Sequence, residues 1–163
     1  MFKQLFLPLA AVAIFIILVG VFSKSPSKFG VQINPAVTPV PAREVKIDNA
    51  TIKVTLADTP EKRTKGLSGT ASLGESEGML FIFNSENTSP TFWMKDMLIP
   101  IDIIWINDGK VVQIDKNIPV PPQGATDASL KLYKPNIKVD QVLEVNAGFS
   151  DKNNLKVGSD VSL

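Results

Sequence analysis

The stretch Thr91-Phe-Trp-Met-Lys-Asp-Met-Leu-Ile-Pro-Ile-Asp-Ile-Ile-Trp-Ile106 combines a run of large apolar residues with three charged ones. Its second half, residues 99–106, predicts a buried strand because β-branched and aromatic side chains dominate it. Lys95, Asp96 and Asp102 interrupt the apolar run. A charge in a core needs a partner, a turn or solvent to offset its desolvation. The segment therefore predicts a strand broken near Asp96, and it is where we expect a site.

Alternating apolar and polar residues predict further short strands on both sides of this stretch. Thr59-Pro-Glu61 predicts a short helix, with threonine as N-cap and proline in the first turn, that stops at Gly66. Asn107-Asp-Gly109 predicts a tight hairpin, since these residues tolerate a positive φ. Residues 117–136, rich in proline, predict a long surface loop. The predicted strands cover residues 45–47, 52–56, 79–83, 92–94, 99–106, 110–114, 141–145 and 157–161.

Six to eight short strands with one or two short helices predict a mainly β domain. The expected architecture is a small β-barrel or a rolled antiparallel sheet, preceded by one N-terminal transmembrane helix.

Residues 1–22 predict that transmembrane helix, as a membrane anchor or signal segment. Residues 5–22 are uncharged and almost wholly apolar, and as a helix they would span roughly 27 Å, close to the hydrocarbon thickness of a bilayer. We favour an uncleaved anchor because this run is longer than a usual signal-peptide core, and a cleaved signal is the alternative. Residues 23–43, with four prolines, predict a linker. The domain at residues 44–163 is then expected outside the cytoplasm, membrane-anchored or, after cleavage, secreted.

The sequence contains neither cysteine nor histidine. Thiolate or imidazole nucleophiles, imidazole proton relays, thiolate or imidazole zinc ligands and disulfides are therefore excluded. An enzyme with this composition would have to use carboxylates, lysine, tyrosine or an oxygen-ligated metal. The net charge of +1 argues against a nucleic-acid partner, which would call for a basic face. We expect no cofactor.

Six side chains are candidates for a ligand-binding site: Arg63, Trp93, Lys95, Asp96, Asp102 and Glu144. Core packing is the commoner role of aromatic residues, but Trp93 adjoins the charged break and could offer one face to a sugar. Lys95 and Asp96 fit either a turn pair in solvent or part of a site.

Asp102 shares a strand face with Ile104 and Ile106, because alternate residues of a strand point the same way. It is expected to be a buried carboxylate bonded to backbone N–H groups or to an arginine, for which Arg63 is the obvious choice.

Glu144 lies between Leu143 and Val145, and an exposed sheet face is its simplest explanation. If Asp96, Asp102 and Glu144 converged, they could bind a hard cation or act as acid and base on a glycoside. Their spacing matches no metal-binding loop, so we predict no metal site.

Several blocks in order resemble the DUF192 family of uncharacterised bacterial and archaeal proteins: Lys62-Arg-Thr-Lys-Gly-Leu67, Glu77-Gly-Met-Leu-Phe-Ile-Phe83, residues 92–104, Val142-Leu-Glu-Val-Asn-Ala-Gly148 and Val157-Gly158. The resemblance covers residues 44–163 and implies a compact β-rich domain, often exported or membrane-tethered, with no established activity. The chain departs from the family pattern in three places. It has Asp96 where asparagine is usual, Gly69-Thr70 where an arginine is usual, and no cysteine pair in the loop after Pro119.

Three functions of different classes fit these residues. The first is a membrane-tethered module that binds a small polar ligand, such as a sugar or another cell-envelope component, near Trp93, Lys95, Asp96 and Asp102. The second is an envelope protein-interaction domain, which predicts an exposed apolar patch or an open sheet edge. The third is a hydrolase or lyase with Asp102 and Glu144 as acid and base and Lys95 as electrostatic support. We rank them in this order.

Overall fold

The structure is a computed structural model that describes residues 43–83 and 88–163. Within these residues, seven strands, two short helices and one 3-10 turn follow one another along the chain. They are β1 (Arg43–Ile47), β2 (Ala50–Ala57), α1 (Pro60–Lys65), β3 (Glu77–Ile82), β4 (Ile101–Asn107), β5 (Lys110–Ile118), the 3-10 turn (Asp127–Ser129), β6 (Gln141–Asn146), α2 (Phe149–Lys152) and β7 (Val161–Ser162).

The strands form one sheet in the order β5-β4-β6-β3-β2-β1-β7. All neighbouring pairs are antiparallel except β2 and β3. The two ends of this sheet meet, because Lys110 at the start of β5 bridges Asp160 just before β7, and the N–H of Val111 donates to the carbonyl of Ser159 at 3.0 Å. The sheet is therefore nearly closed, which confirms the prediction of a mainly β, barrel-like domain with short helices.

The structure confirms the predicted short helix and the predicted hairpin turn. Helix α1 begins after Thr59, whose Oγ1 accepts a hydrogen bond from the Lys62 N–H at 3.3 Å. It ends at Gly66, where φ is 49°. Between β4 and β5 the turn residues Asp108 and Gly109 have φ values of 48° and 64°, the conformation that a two-residue hairpin needs.

Two predicted strands differ in the structure. Residues 92–94 form no strand, and only Phe92 makes an isolated bridge, to Tyr133. Both edges of β6 are already paired, with β3 and β4. The segment therefore crosses the outer face of the sheet, where the Phe92 ring packs on Phe81 and Trp105. The last strand is shorter than predicted, at Val161–Ser162, since the chain turns at Gly158 with φ of 93°.

The core has one layer on each face of the sheet. The inner cluster fills the barrel, and its members come from six strands and the segment that follows β6: Val45, Ile47, Ala50, Ile52, Val54, Leu80, Ile104, Ile106, Val111, Leu143, Val145, Phe149 and Leu155. The outer cluster lies under the connecting loops: Ala57, Leu67, Phe81, Met94, Met97, Ile99, Ile101, Ile103, Trp105, Ile118, Tyr133, Val139 and Val142. Ile103 and Ile104 thus fall into different clusters, as the alternation of a strand requires.

The predicted anchor and nearly all of the predicted linker lie outside the described residues. In the ranges 43–83 and 88–163, no helix has the length and apolar character to cross a membrane.

Candidate functional site

A cavity of about 370 Å³ lies on the outer face of the sheet, against helix α1. This volume is in the range of small-molecule sites, which runs from about 300 to 1,000 Å³. Aromatic rings make up much of its wall, and a few polar side chains lie among them. The lining residues are Pro60, Arg63, Thr64, Lys65, Gly66, Leu67, Ser68, Phe81, Phe83, Pro90, Thr91, Phe92, Trp93, Met97 and Glu144.

Glu144 is the buried polar residue of this cavity. Strand β6 places it opposite Met79 of β3 and Ile103 of β4, so it lies on the face that carries the outer cluster. The residue is 5% exposed, and its Oε2 has no hydrogen-bond partner among the described residues. Burial raises the pKa of Glu144 to about 8, so the carboxyl group is neutral at pH 7.

The prediction of an exposed sheet face for Glu144 is therefore wrong. The connecting loops cover this face and bring Leu67 and Met97 over the sheet. A signal for this burial was present in the sequence. Val142 shares a face with Glu144 and Leu143 lies on the other face, and apolar residues on both faces are typical of a strand that is covered on both sides.

Arg63 reaches the cavity from helix α1. Its Nη1 donates a hydrogen bond to the carbonyl of Ile82 at 3.0 Å, and the guanidinium lies 5.6 Å from the ring centroid of Phe83. These two contacts orient the side chain. They also show that Arg63 is not the partner of Asp102, so that part of the prediction is corrected.

Asp102 is fully buried and lies on the inner face, away from the cavity. Its Oδ1 accepts hydrogen bonds from the N–H groups of Asn117 at 2.8 Å and Gly148 at 3.2 Å. Its Oδ2 accepts one from the N–H of Ser150 at 2.9 Å. The predicted bonding to backbone N–H groups is confirmed. The carboxylate ties β4 to the end of β5 and to the start of α2.

The structure does not bring Asp102 and Glu144 together. In the β4–β6 register Asp102 is opposite Val145 and Ile103 is opposite Glu144, and directly opposite residues share a face. The two carboxyl groups therefore lie on opposite sides of the sheet and cannot act as a pair. Nor does the described part of the chain contain a group of three or more acidic residues that could hold a metal ion.

Trp93, Lys95 and Asp96 lie at the outside of the site. Trp93 is 48% exposed and lines both the cavity and an adjoining depression, which Lys95 and Asp96 also line. Lys95 forms an ion pair with Asp127, Nζ to Oδ2 at 2.5 Å, and this hydrogen bond raises the pKa of Lys95. Asp96 is exposed at a turn position with φ of 55°. Asp96 therefore fits the solvent-exposed turn, while the partner of Lys95 is Asp127.

Two aromatic residues of the wall, Phe81 and Phe92, were predicted only as parts of strands and not as site residues. Phe81 packs edge-to-face on Phe92, with centroids 4.9 Å apart, and Phe92 packs likewise on Trp105 at 5.4 Å. Period-two alternation places Phe81 and Phe83 on one face of β3. That this is also the face of Glu144 follows only from the β3–β6 pairing.

The fold resembles two solved structures. A crystal structure of a protein of unknown function from Novosphingobium aromaticivorans matches with a TM-score of 0.68 and 29% identity, covering 78% of this chain and 91% of that one. A crystal structure of a proposed transcription regulator from Sinorhizobium meliloti matches with a TM-score of 0.65 and 26% identity, covering 73% and 91%. No curated protein matches the sequence.

The family resemblance seen in the sequence is confirmed over the whole described domain. The model of DUF192, described as uncharacterized ACR, matches residues 43–163, and the chain therefore belongs to the DUF192 family.

Proposed function

We propose that this domain binds a small, partly apolar molecule in the cavity on its outer face, with Glu144 as the central polar contact. The observation that carries the proposal is the buried Glu144 carboxyl group, whose Oε2 has no partner among the described residues and which lines an aromatic cavity. Buried polar groups are normally hydrogen-bonded. A ligand in the cavity would supply the missing bond.

A purely structural role explains Glu144 poorly. Its cross-strand neighbours on this face are Met79 and Ile103, and a leucine or methionine would pack against them without burying a carboxyl group. An unsatisfied buried polar group costs about 1–3 kcal/mol. Residues that reduce stability without a structural gain are found mainly at functional sites.

The cavity wall favours a ligand with a flat or apolar body. Phe81, Phe83 and Phe92 line it, and Trp93 adds a half-exposed ring at its outside. Sugars, amino acids and similar cell-envelope components have this size and this mixture of apolar and polar surface.

The N-terminal sequence supports a location for this binding. An uncleaved apolar segment at residues 1–22 and a proline-rich linker at residues 23–43 would tether the domain outside the cytoplasm. If the linker is extended at about 3 Å per residue, it would reach up to roughly 60 Å from the membrane.

Catalysis by paired carboxylates has lost its support, because Asp102 lies on the other face of the sheet. A role in transcription, as named for the Sinorhizobium protein, is not carried over. The net charge of +1 offers little attraction for DNA.

The test is a thermal-shift screen of residues 43–163 against sugars, envelope fragments, amino acids and divalent cations. This part of the chain is expected to fold alone, since each solved relative is covered to 91% by its match to this chain. A ligand that binds only the folded state raises the melting temperature. We expect at least one hit that is lost in Glu144→Gln and Trp93→Ala.

The matched control is Lys116→Met, which removes a charge from a side chain paired with Asp151, outside the cavity lining. The hit should persist in this variant. An absence of hits across the library, or hits that Glu144→Gln and Trp93→Ala both leave unchanged, would contradict the proposal.

A further inference from the structure

We propose that the ligand is a small zwitterion with an apolar or aromatic body, which places a protonated amine against Glu144 and a carboxylate towards Arg63 and Lys65. An amino acid with a free amine and a free carboxylate is the simplest member of this class. The inference rests on the proposed function of the same cavity and specifies its substrate class.

The Glu144 end of the cavity suits an ammonium group. The carboxyl group has an oxygen that accepts no hydrogen bond from the described residues, and an ammonium group can donate up to three hydrogen bonds. Phe81 and Phe92 line the same cavity, held at an interplanar angle of 79°. The faces of aromatic rings attract cations. Once Glu144 ionises, its carboxylate and the rings together therefore favour a cation at this end of the cavity.

The opposite charge is supplied from helix α1. Among the described lining residues the charged ones are Arg63, Lys65 and Glu144, so the protein presents two cations and one acid. Arg63 uses Nη1 to bond Ile82, and within residues 43–83 and 88–163 its other guanidinium N–H groups have no partner and can bind a carboxylate. A ligand with only a positive charge would be repelled by Arg63 and Lys65, and one with only a negative charge would leave the Glu144 oxygen without a donor. A zwitterion meets both requirements.

Binding of such a ligand is coupled to proton release. Burial keeps Glu144 neutral at pH 7, since its pKa is raised to about 8, and it must ionise to pair with an ammonium group. Binding at pH 7 should therefore release close to one proton. The other ionisable groups on this side of the sheet include Glu61, Arg63 and Lys65 on α1, Lys95 and Asp96 in the loop before β4, Glu77 on β3 and Asp115 on β5. Asp115 accepts a hydrogen bond from Trp105 Nε1 at 2.6 Å, and Glu77 accepts one from the Gly74 N–H at 2.9 Å.

The test is isothermal titration calorimetry of residues 43–163 with two matched series of probes. The first is phenylalanine, phenethylamine and 3-phenylpropionate, and the second is leucine, isoamylamine and 4-methylpentanoate. Each series keeps the apolar body and removes one charge at a time. We expect at least one of the two zwitterions to bind about tenfold or more tighter than its own single-charge analogues. Titrations at pH 7 in two buffers of different ionisation enthalpy should show close to one proton released.

Variants separate the two ends of the site. Glu144→Gln should abolish proton release and weaken the zwitterion about tenfold, with little effect on the acid analogue. Arg63→Met should weaken the zwitterion and the acid analogue but not the amine. Lys116→Met, which also removes one positive charge, should change none of them.

Three outcomes would overturn the inference. Zwitterion binding without proton release, or with equal affinity in Glu144→Gln, would overturn the assigned amine contact. If neither zwitterion binds while a sugar or a neutral amide from the screen does, the zwitterion is wrong and the proposed binding function stands. If nothing from the screen binds, both are wrong.

Discussion

Asp102 and Glu144 are two buried carboxyl residues on neighbouring strands, one step apart in register and on opposite faces of the same sheet. On the inner face, three backbone N–H groups bond both oxygens of Asp102. On the outer face, the Oε2 of Glu144 has no partner among the described residues and the carboxyl lines a cavity. The protein thus compensates the burial of one carboxyl group and leaves the other available.

The difference follows from what covers each face. The inner face lines the interior of the barrel. There the end of β5 and the start of α2 come within hydrogen-bond distance of Asp102. Loops and helix α1 cover the outer face, and between them a space of about 370 Å³ stays open beside Glu144. We infer that the inner carboxylate serves the fold and the outer one serves the ligand.

The largest difference that we expect between Glu144 and Asp102 is in how the free energy of unfolding depends on pH. The folded state raises the pKa of Glu144 from 4.5 to about 8, so folding favours its neutral form. Stability is therefore lost as pH rises from the lower value to the upper one, by about 1.4 kcal/mol per pH unit and roughly 5 kcal/mol in all. Glutamine cannot ionise. Glu144→Gln should match the native protein in stability near pH 4.5 and exceed it by several kcal/mol at pH 9.

Urea denaturation of both proteins across this pH range measures the difference. If the two unfolding free energies differ by a constant amount at every pH, Glu144 is not held neutral by burial and the contrast with Asp102 fails.

Replacing the inner carboxylate of Asp102 should lower the stability of the protein, whereas Glu144→Gln should raise it at high pH. Asp102→Asn puts an amide nitrogen against backbone N–H groups and leaves at least one of them without an acceptor. We expect a loss of about 3 kcal/mol at pH 7, seen in the same denaturation experiment. Asp127→Asn is the matched control, since its side chain is 66% exposed in an ion pair with Lys95, and its loss should stay below about 0.5 kcal/mol. Equal effects for the two variants would show that Asp102 does not anchor the fold.

A smaller effect tests whether Asp102 acts through the backbone alone. Ser150 donates its N–H to Asp102, while its buried Oγ has no partner among the described residues. Ser150→Ala keeps the N–H and removes the unsatisfied hydroxyl, so stability should stay the same or rise by up to about 1 kcal/mol. Ser159→Ala is the control, because its buried Oγ accepts a hydrogen bond from the Lys156 N–H at 3.2 Å. It should lose about 1 kcal/mol. A larger loss for Ser150→Ala than for Ser159→Ala would mean that the Ser150 side chain takes part in the anchor.

Local patterns in the sequence predicted much of the inner face. Alternation alone placed Asp102 beside Ile104 and Ile106, and the residue types around Thr59 and Gly66 predicted helix α1 within one residue of its observed ends. These predictions depend on neighbours a few positions apart, so the local sequence contains the information they need.

The outer face depends on contacts between distant segments. Whether Glu144 is buried is decided by loops 50 to 80 positions earlier in the chain, which bring Leu67 and Phe92 to the cavity. Likewise, Arg63 is oriented by the carbonyl of Ile82 on the neighbouring strand. Strand periodicity identifies which residues share a face, but it does not tell which loop will cover that face.

The ionisation of Glu144 itself distinguishes the two carboxyl residues without any ligand. A ¹³C NMR titration of the side-chain carboxyl groups in residues 43–163, with Glu144→Gln to assign the resonance, measures it without a ligand. We expect a midpoint near 8, because the carboxyl group is buried and its Oε2 has no hydrogen-bond partner among the described residues. A midpoint near the ordinary glutamate value of 4.5 would mean that Glu144 is solvated or bonded within the protein, and would contradict its role as a buried, neutral contact for the ligand.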